Sequence, residues 1–162
     1  RMNKNFWRLS MYRYLGVAFC VWSFLAFAGH HEDGMHVMNG WVKEPLPGVD
    51  ATAVYLSIHN PRKVPDRLIS VSTELAQISE IHEMLMVDNV MKMRRLDSGI
   101  AIAPDELVRL EPGGSHIMLF DLNKSFQVGE TYTVTLDFER AGKMTVPITV
   151  KAAVDSAQHH HH

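Results

Sequence analysis

Thr131-Tyr132-Thr133-Val134-Thr135-Leu136-Asp137-Phe138-Glu139 is the stretch that decides the fold class. Tyr132, Val134, Leu136 and Phe138 alternate with Thr133, Thr135 and Asp137, the period of two that sets one strand face on a core and the other in water. Arg140-Ala141-Gly142-Lys143 then reads as a hairpin turn that returns the chain into Met144 to Val150. Working outward, further strands are expected at Val37–Val42, Ala53–Ile58, Arg67–Ser72, Gln77–Met86, Val90–Leu96, Leu107–Leu110 and His116–Leu119. Punctuation separates them at Pro45-Leu46-Pro47-Gly48, Asn60-Pro61, Asp97-Ser98-Gly99, Pro104-Asp105, Pro112-Gly113-Gly114 and Gly129. No apolar segment between these breaks keeps a long helical period. About eight or nine short strands with turns every 8–12 residues imply an all-β Greek-key sandwich or barrel.

Composition fits one folded domain: 46% of the 162 residues are hydrophobic and 21% charged. There is no repeat, low-complexity segment, Gly-rich phosphate loop or linker. Residues 1–28 hold Arg1, Lys4, Arg8 and Arg13 with no acid, followed by an apolar run from Tyr14 to Ala28 that ends Ala26-Phe27-Ala28. This is the pattern of a secretory signal; the alternative is an uncleaved membrane anchor, for which the run is short against a span of about 20 residues. Cys20 follows Phe19, so a lipoprotein cleavage site is not expected there. Residues 29–36 are expected to be a flexible, His-containing terminus, 37–152 the folded domain, and 153–162 a tail ending in a His tag. Without the leader, 12 basic residues face 18 acidic ones, a net charge of −6. So acidic a chain has no electrostatic grip on a phosphate backbone, which excludes nucleic acid as a partner. Loss of the leader also removes the single cysteine, and with it disulfides, zinc–thiolate sites and iron–sulfur clusters.

The chemistry lies in two His-any-Met triplets, His82-Glu83-Met84 and His116-Ile117-Met118. On a strand, residues i and i+2 share a face, so each triplet sets an imidazole nitrogen beside a thioether sulfur. A hairpin at Val87-Asp88-Asn89 folds Met91 and Met93 back alongside His82. Neutral imidazole and uncharged thioether are soft or borderline donors, and such a set selects Cu(I). Zinc would ask for thiolate, more histidine or carboxylate, and calcium or magnesium for clustered oxygens. A blue-copper centre needs a cysteine thiolate. Methionine also fills cores, and a strand histidine such as His59 is ordinarily just a polar residue.

These residues carry a resemblance to a known family. The chain from Val37 to Val150 resembles the PCuAC domains, through His82-Glu83-Met84, Val90-Met91-Lys92-Met93-Arg94, Leu110-Glu111-Pro112-Gly113-Gly114 and His116-Ile117-Met118-Leu119. The family pattern is a His, ten residues, a Met, about twenty-one residues, then His-any-Met, and the two gaps here are ten and twenty-two. The added residue falls in the loop from Asp97 to Glu106, where an insertion costs little. The resemblance implies that His82, Met93, His116 and Met118 hold one Cu(I) at the rim of a cupredoxin-like β-barrel. Met84 matches no required ligand and is read as a supporting or exchanging neighbour, and Met86 and Met91 as packing.

The role implied by the resemblance is a periplasmic copper chaperone, not an enzyme. It would act as a monomer, with no membrane contact after signal cleavage, and deliver copper for cytochrome c oxidase assembly, with the oxidase copper site or a Sco-type protein as acceptor. A copper enzyme would need more histidines at its centre, and a metal-free scaffold would use the methionines as core. A chain cleaved after Ala28 would begin Gly29-His30-His31. Its amine, two amide nitrogens and the His31 imidazole then suit square-planar Cu(II), with Met35 and His36 nearby.

Overall fold

The alternating stretch forms β9 (Thr131–Phe138), which pairs antiparallel with β10 (Gly142–Lys151) in the register Phe138↔Gly142 to Thr131↔Thr149. Val134, Leu136 and Phe138 are buried, while the threonines between them face outward. The computed structural model describes residues 34–153. Among these the other strands are β1 (His36–Lys43), β2 (Ala51–His59), β3 (Asp66–Ser72), β4 (Ala76–Val87), β5 (Val90–Arg95), β6 (Ile100–Ile102), β7 (Leu107–Leu110) and β8 (His116–Leu122). The described residues contain no helix. None therefore crosses a membrane as a long apolar helix.

Ten strands form, against the eight or nine expected. The extra one is β6, only three residues long and too short for alternation to show. Its start is set by Gly99, at φ 69°, where a Cβ would lie 2.0 Å from the Leu68 carbonyl oxygen. Only glycine fits so close an approach. His36, assigned from sequence to a flexible terminus, opens β1 opposite His59. The cause is its neighbour: Met35 is buried in the core and holds the chain onto the sheet.

The strands follow the order β5-β4-β8-β2-β1-β10-β9-β3-β6, with β7 also paired to β2. All these pairs are antiparallel except β1 with β10. Sequence neighbours are often not sheet neighbours, the crossed connectivity of a Greek-key sandwich. Val54, Leu56 and Ile58 of β2, Ile81 of β4, and Ile117 and Leu119 of β8 fill the interior with Leu68, Ile102 and the β9 and β10 residues. Burying each such side chain contributes about 1.5–3 kcal/mol.

One polar knot closes the end away from β5. Asp66 is buried, and its carboxylate accepts the backbone N–H groups of Arg67 at 2.7 Å and of Arg140 and Ala141 at 2.9 Å. Arg62 adds an ion pair at 3.4 Å. A buried carboxylate is tolerable only with its lone pairs so filled. Asp66 thereby pins the start of β3 to the β9–β10 hairpin.

Candidate metal centre

Alternation in β4 and β8 decides which side chains meet. Ile81 and Ile117 point into the core, so His82 and His116, their chain neighbours, project from the opposite sheet face. The strands put these histidines directly opposite each other, with ring centroids 6.0 Å apart. The pair thus sits on the sheet face opposite the Ile81–Ile117 side, on the two strands next to the β5 edge, with His116 at the very start of β8. Yet both are buried, His82 at 7% and His116 at 6% exposure. Tyr55 lies against His116 and Phe120 against His82, with ring centroids 6.3 and 6.0 Å away.

Hydrogen bonds fix the tautomer of each ring. His116 Nδ1 lies 2.9 Å from the Gly114 carbonyl, which can only accept, so Nδ1 carries the proton and Nε2 of the neutral ring presents a lone pair. That lone pair faces the sulfur of Met93 at 3.2 Å. In that tautomer the imidazole nitrogen and the thioether sulfur stand side by side as two soft or borderline donors that one cation can share. His82 Nε2 donates to Glu80 Oε2 at 2.8 Å. Its other nitrogen, Nδ1, is buried with no hydrogen-bond partner. An orphaned buried acceptor is costly unless something binds it. Both imidazoles are therefore held as metal ligands commonly are, one nitrogen tethered and the other open.

Glu80 and Arg95 are the residues that sequence reasoning missed. Glu80 uses its second oxygen to pair with Arg95 at 2.6 Å, and Arg95 reaches Asp97 at 2.8 Å. Arg95 stands opposite His82 in the β4–β5 ladder. Glu80's position two residues before His82 on the same strand was the available signal.

Met93 comes from β5, opposite Met84, and reaches across β4 to His116. Met118 lies opposite Glu80, on the same face as His82 and His116 and one rung along the ladder. The hairpin expected at Val87-Asp88-Asn89 forms, with Asp88 and Asn89 at φ 52° and 60° between paired Val87 and Val90. Two positive φ values match the strand twist in a two-residue turn. The reading of Met86 and Met91 as packing is wrong: they are 63% and 46% exposed, at the tip of a hairpin whose second strand, β5, is the edge of the sheet. His30 and His31 lie outside the described residues. His36 stacks near His59, with ring centroids 5.9 Å apart, and His59 Nε2 is 3.3 Å from Asp105.

Among the described residues no three His, Cys, Asp or Glu side chains come together as a hard or borderline ion would require.

Comparison with known proteins agrees with this architecture. The family described as "Putative lipoprotein LpqE-like" matches residues 35–150. The chain belongs to the LpqE-like family. The protein described as "Putative lipoprotein Lxx21020" from Leifsonia xyli subsp. xyli is 29% identical over 123 residues, covering 76% of this chain and 73% of its own length. Among solved structures, the copper-bound PCuAC domain from PmoF2 is 30% identical with a TM-score of 0.62, over 73% of this chain and 92% of that domain. The solution structure of CuI-DR1885 from Deinococcus radiodurans is 27% identical with a TM-score of 0.55, over 72% and 76%. The fold of this LpqE-like protein is thus the cupredoxin-like β-sandwich of the PCuAC domains.

Proposed function

We propose that this protein is a periplasmic carrier of Cu(I), held by His82, Met93, His116 and Met118. The observation that carries the reading is His116 Nε2 set 3.2 Å from the Met93 sulfur, together with the buried, unpartnered Nδ1 of His82 on the facing strand. The donor set is neutral and soft, which suits Cu(I) and not a hard dication. Solved relatives support the choice of metal: one is titled copper-bound and another CuI. A metal-free scaffold would bury its methionines, whereas Met86, Met91 and Met93 are exposed.

Carriage and not turnover is the reading because, among the described residues, two imidazoles meet at the centre and thioethers stabilise the reduced ion. A carrier needs ligands that leave one at a time, and Met93, at 49% exposure, is the one that a partner can displace first. The basic and apolar leader supports export to the periplasm. The acceptor in this proposal is the copper site of cytochrome c oxidase or a Sco-type protein. The net charge of −6 without the leader favours a basic docking face.

Anaerobic competition against a chromophoric Cu(I) chelator tests the reading. The protein should withdraw one tightly held equivalent, and Met93→Leu together with Met118→Leu should abolish that withdrawal. An unchanged result for the double variant would reject these ligands.

A further inference from the structure

The β4–β5 hairpin carries four methionines in register. Met84 pairs with Met93 and Met86 with Met91, so the four thioethers form two successive rungs on the face that carries His82. Beyond Met86 and Met91 only the Val87-Asp88-Asn89-Val90 tip remains. Cross-strand neighbours have Cβ atoms about 4.5–5.5 Å apart, and successive same-face residues about 7 Å. Flexible thioether side chains on such a grid can bring three sulfurs onto one ion.

The remaining hairpin residues leave this face clear. Lys92 and Arg94 alternate with the methionines and therefore project from the other face, where Arg94 pairs with Glu83. Arg95 shares the methionine face, but Glu80 and Asp97 engage its charge. An aliphatic edge would serve for simple coverage. Instead, every position of this face between His82 and the turn, on both strands, holds sulfur apart from Arg95.

From this placement we propose a second, thioether-only Cu(I) site formed by Met84, Met86 and Met91, which loads and unloads the His82–His116 centre. It rests on the carrier reading for the identity of its metal and stands or falls on its own ligands. His82 and His116 are 7% and 6% exposed, so an incoming protein ligand cannot reach them directly. Met86 and Met91 can be reached. Met93 belongs to the inner rung and also touches His116, so it links the two sites. An ion moves along the ladder by exchanging one thioether for the next. Copper stays Cu(I) throughout, and no proton or electron is transferred.

The test uses protein labelled with carbon-13 at the methionine methyl groups and titrated with Ag(I), a redox-inert soft cation, in chloride-free buffer. The first equivalent should shift the Met93 and Met118 methyls, and the second those of Met84, Met86 and Met91. Met86→Leu with Met91→Leu alters only exposed side chains. It should leave the first equivalent intact and weaken the second at least tenfold. A second equivalent that leaves the Met86 and Met91 methyls unmoved, or that binds the double variant equally well, overturns the proposal. If instead the hairpin methyls respond while Met93 and Met118 never do, the ladder site stands and the inner ligand set is wrong.

Discussion

His116 and Met93 approach each other across an intervening strand, nitrogen to sulfur at 3.2 Å, although β8 and β5 share no hydrogen bond. Met93 therefore does more than flank the histidines: it spans β4 to close the centre from the exposed side. Its replacement by Leu keeps volume but removes the donor. Cu(I) affinity should fall at least about tenfold, or 1.4 kcal/mol. Unfolding by urea should change little, since the side chain is half in solvent. Equal loss of stability and affinity would mean that Met93 serves packing.

Glu80 holds His82 through Nε2 and is itself held by Arg95. Glu80→Ala frees the ring to rotate or change tautomer. By analogy with other metal-supporting carboxylates, the affinity loss should be about 10–100-fold. Glu80→Gln retains a carbonyl acceptor and should recover most of it. Nitrogen-15 imidazole spectra should show the His82 tautomer shifting in the Ala variant and not in the Gln variant. No tautomer change in Glu80→Ala would remove Glu80 from the account.

Asp66 is far from the metal face in the strand order and should matter for stability alone. Asp66→Ala strands three backbone N–H groups at the β3 and β9–β10 junction. A cost of about 2–4 kcal/mol is expected, read as a lowered urea midpoint with unchanged slope. Cu(I) stoichiometry in the folded variant should remain one tight equivalent.

Burial raises the Tyr55 hydroxyl above its ordinary pKa of 10.0. The folded state thus holds this proton more tightly than the unfolded chain does. The resulting stabilisation is intact below about pH 10 and is lost as pH rises through the folded value. Phenolate absorbance should show two tyrosines titrating late, Tyr55 and Tyr132, whose hydroxyl is held up by its hydrogen bond to Glu130; only Tyr132 should remain late in Tyr55→Phe, and that variant should lose less stability in alkali. Normal titration of every tyrosine would contradict the burial of Tyr55 beside His116.

The fold was largely legible because alternation is a local property. Tyr132 to Phe138 announces a half-buried strand from its own residues, and the His-any-Met triplets announce a shared face in the same way. Three features were not local. β6 is too short to display a period, and it exists because Gly99 lets the chain approach Leu68. The placement of β8 between β4 and β2 brings His116 to His82, and no segment encodes that pairing alone. Met86 and Met91 look like core residues in sequence, because alternation does not say whether a strand lies at a sheet edge with one face uncovered. Glu80 escaped notice for a related reason: a carboxylate two residues before a histidine is common on wet strand faces, and only burial of the ring makes the contact a tether.

The most direct test of the central claim is copper K-edge X-ray absorption on anaerobic protein loaded with a single equivalent of Cu(I). The account predicts a mixed first shell in which imidazole nitrogen from His82 and His116 and thioether sulfur from Met93 and Met118 both contribute, with the sulfur contribution reduced in Met93→Leu. A shell of sulfur alone, or one of nitrogen and oxygen with no sulfur, would contradict it.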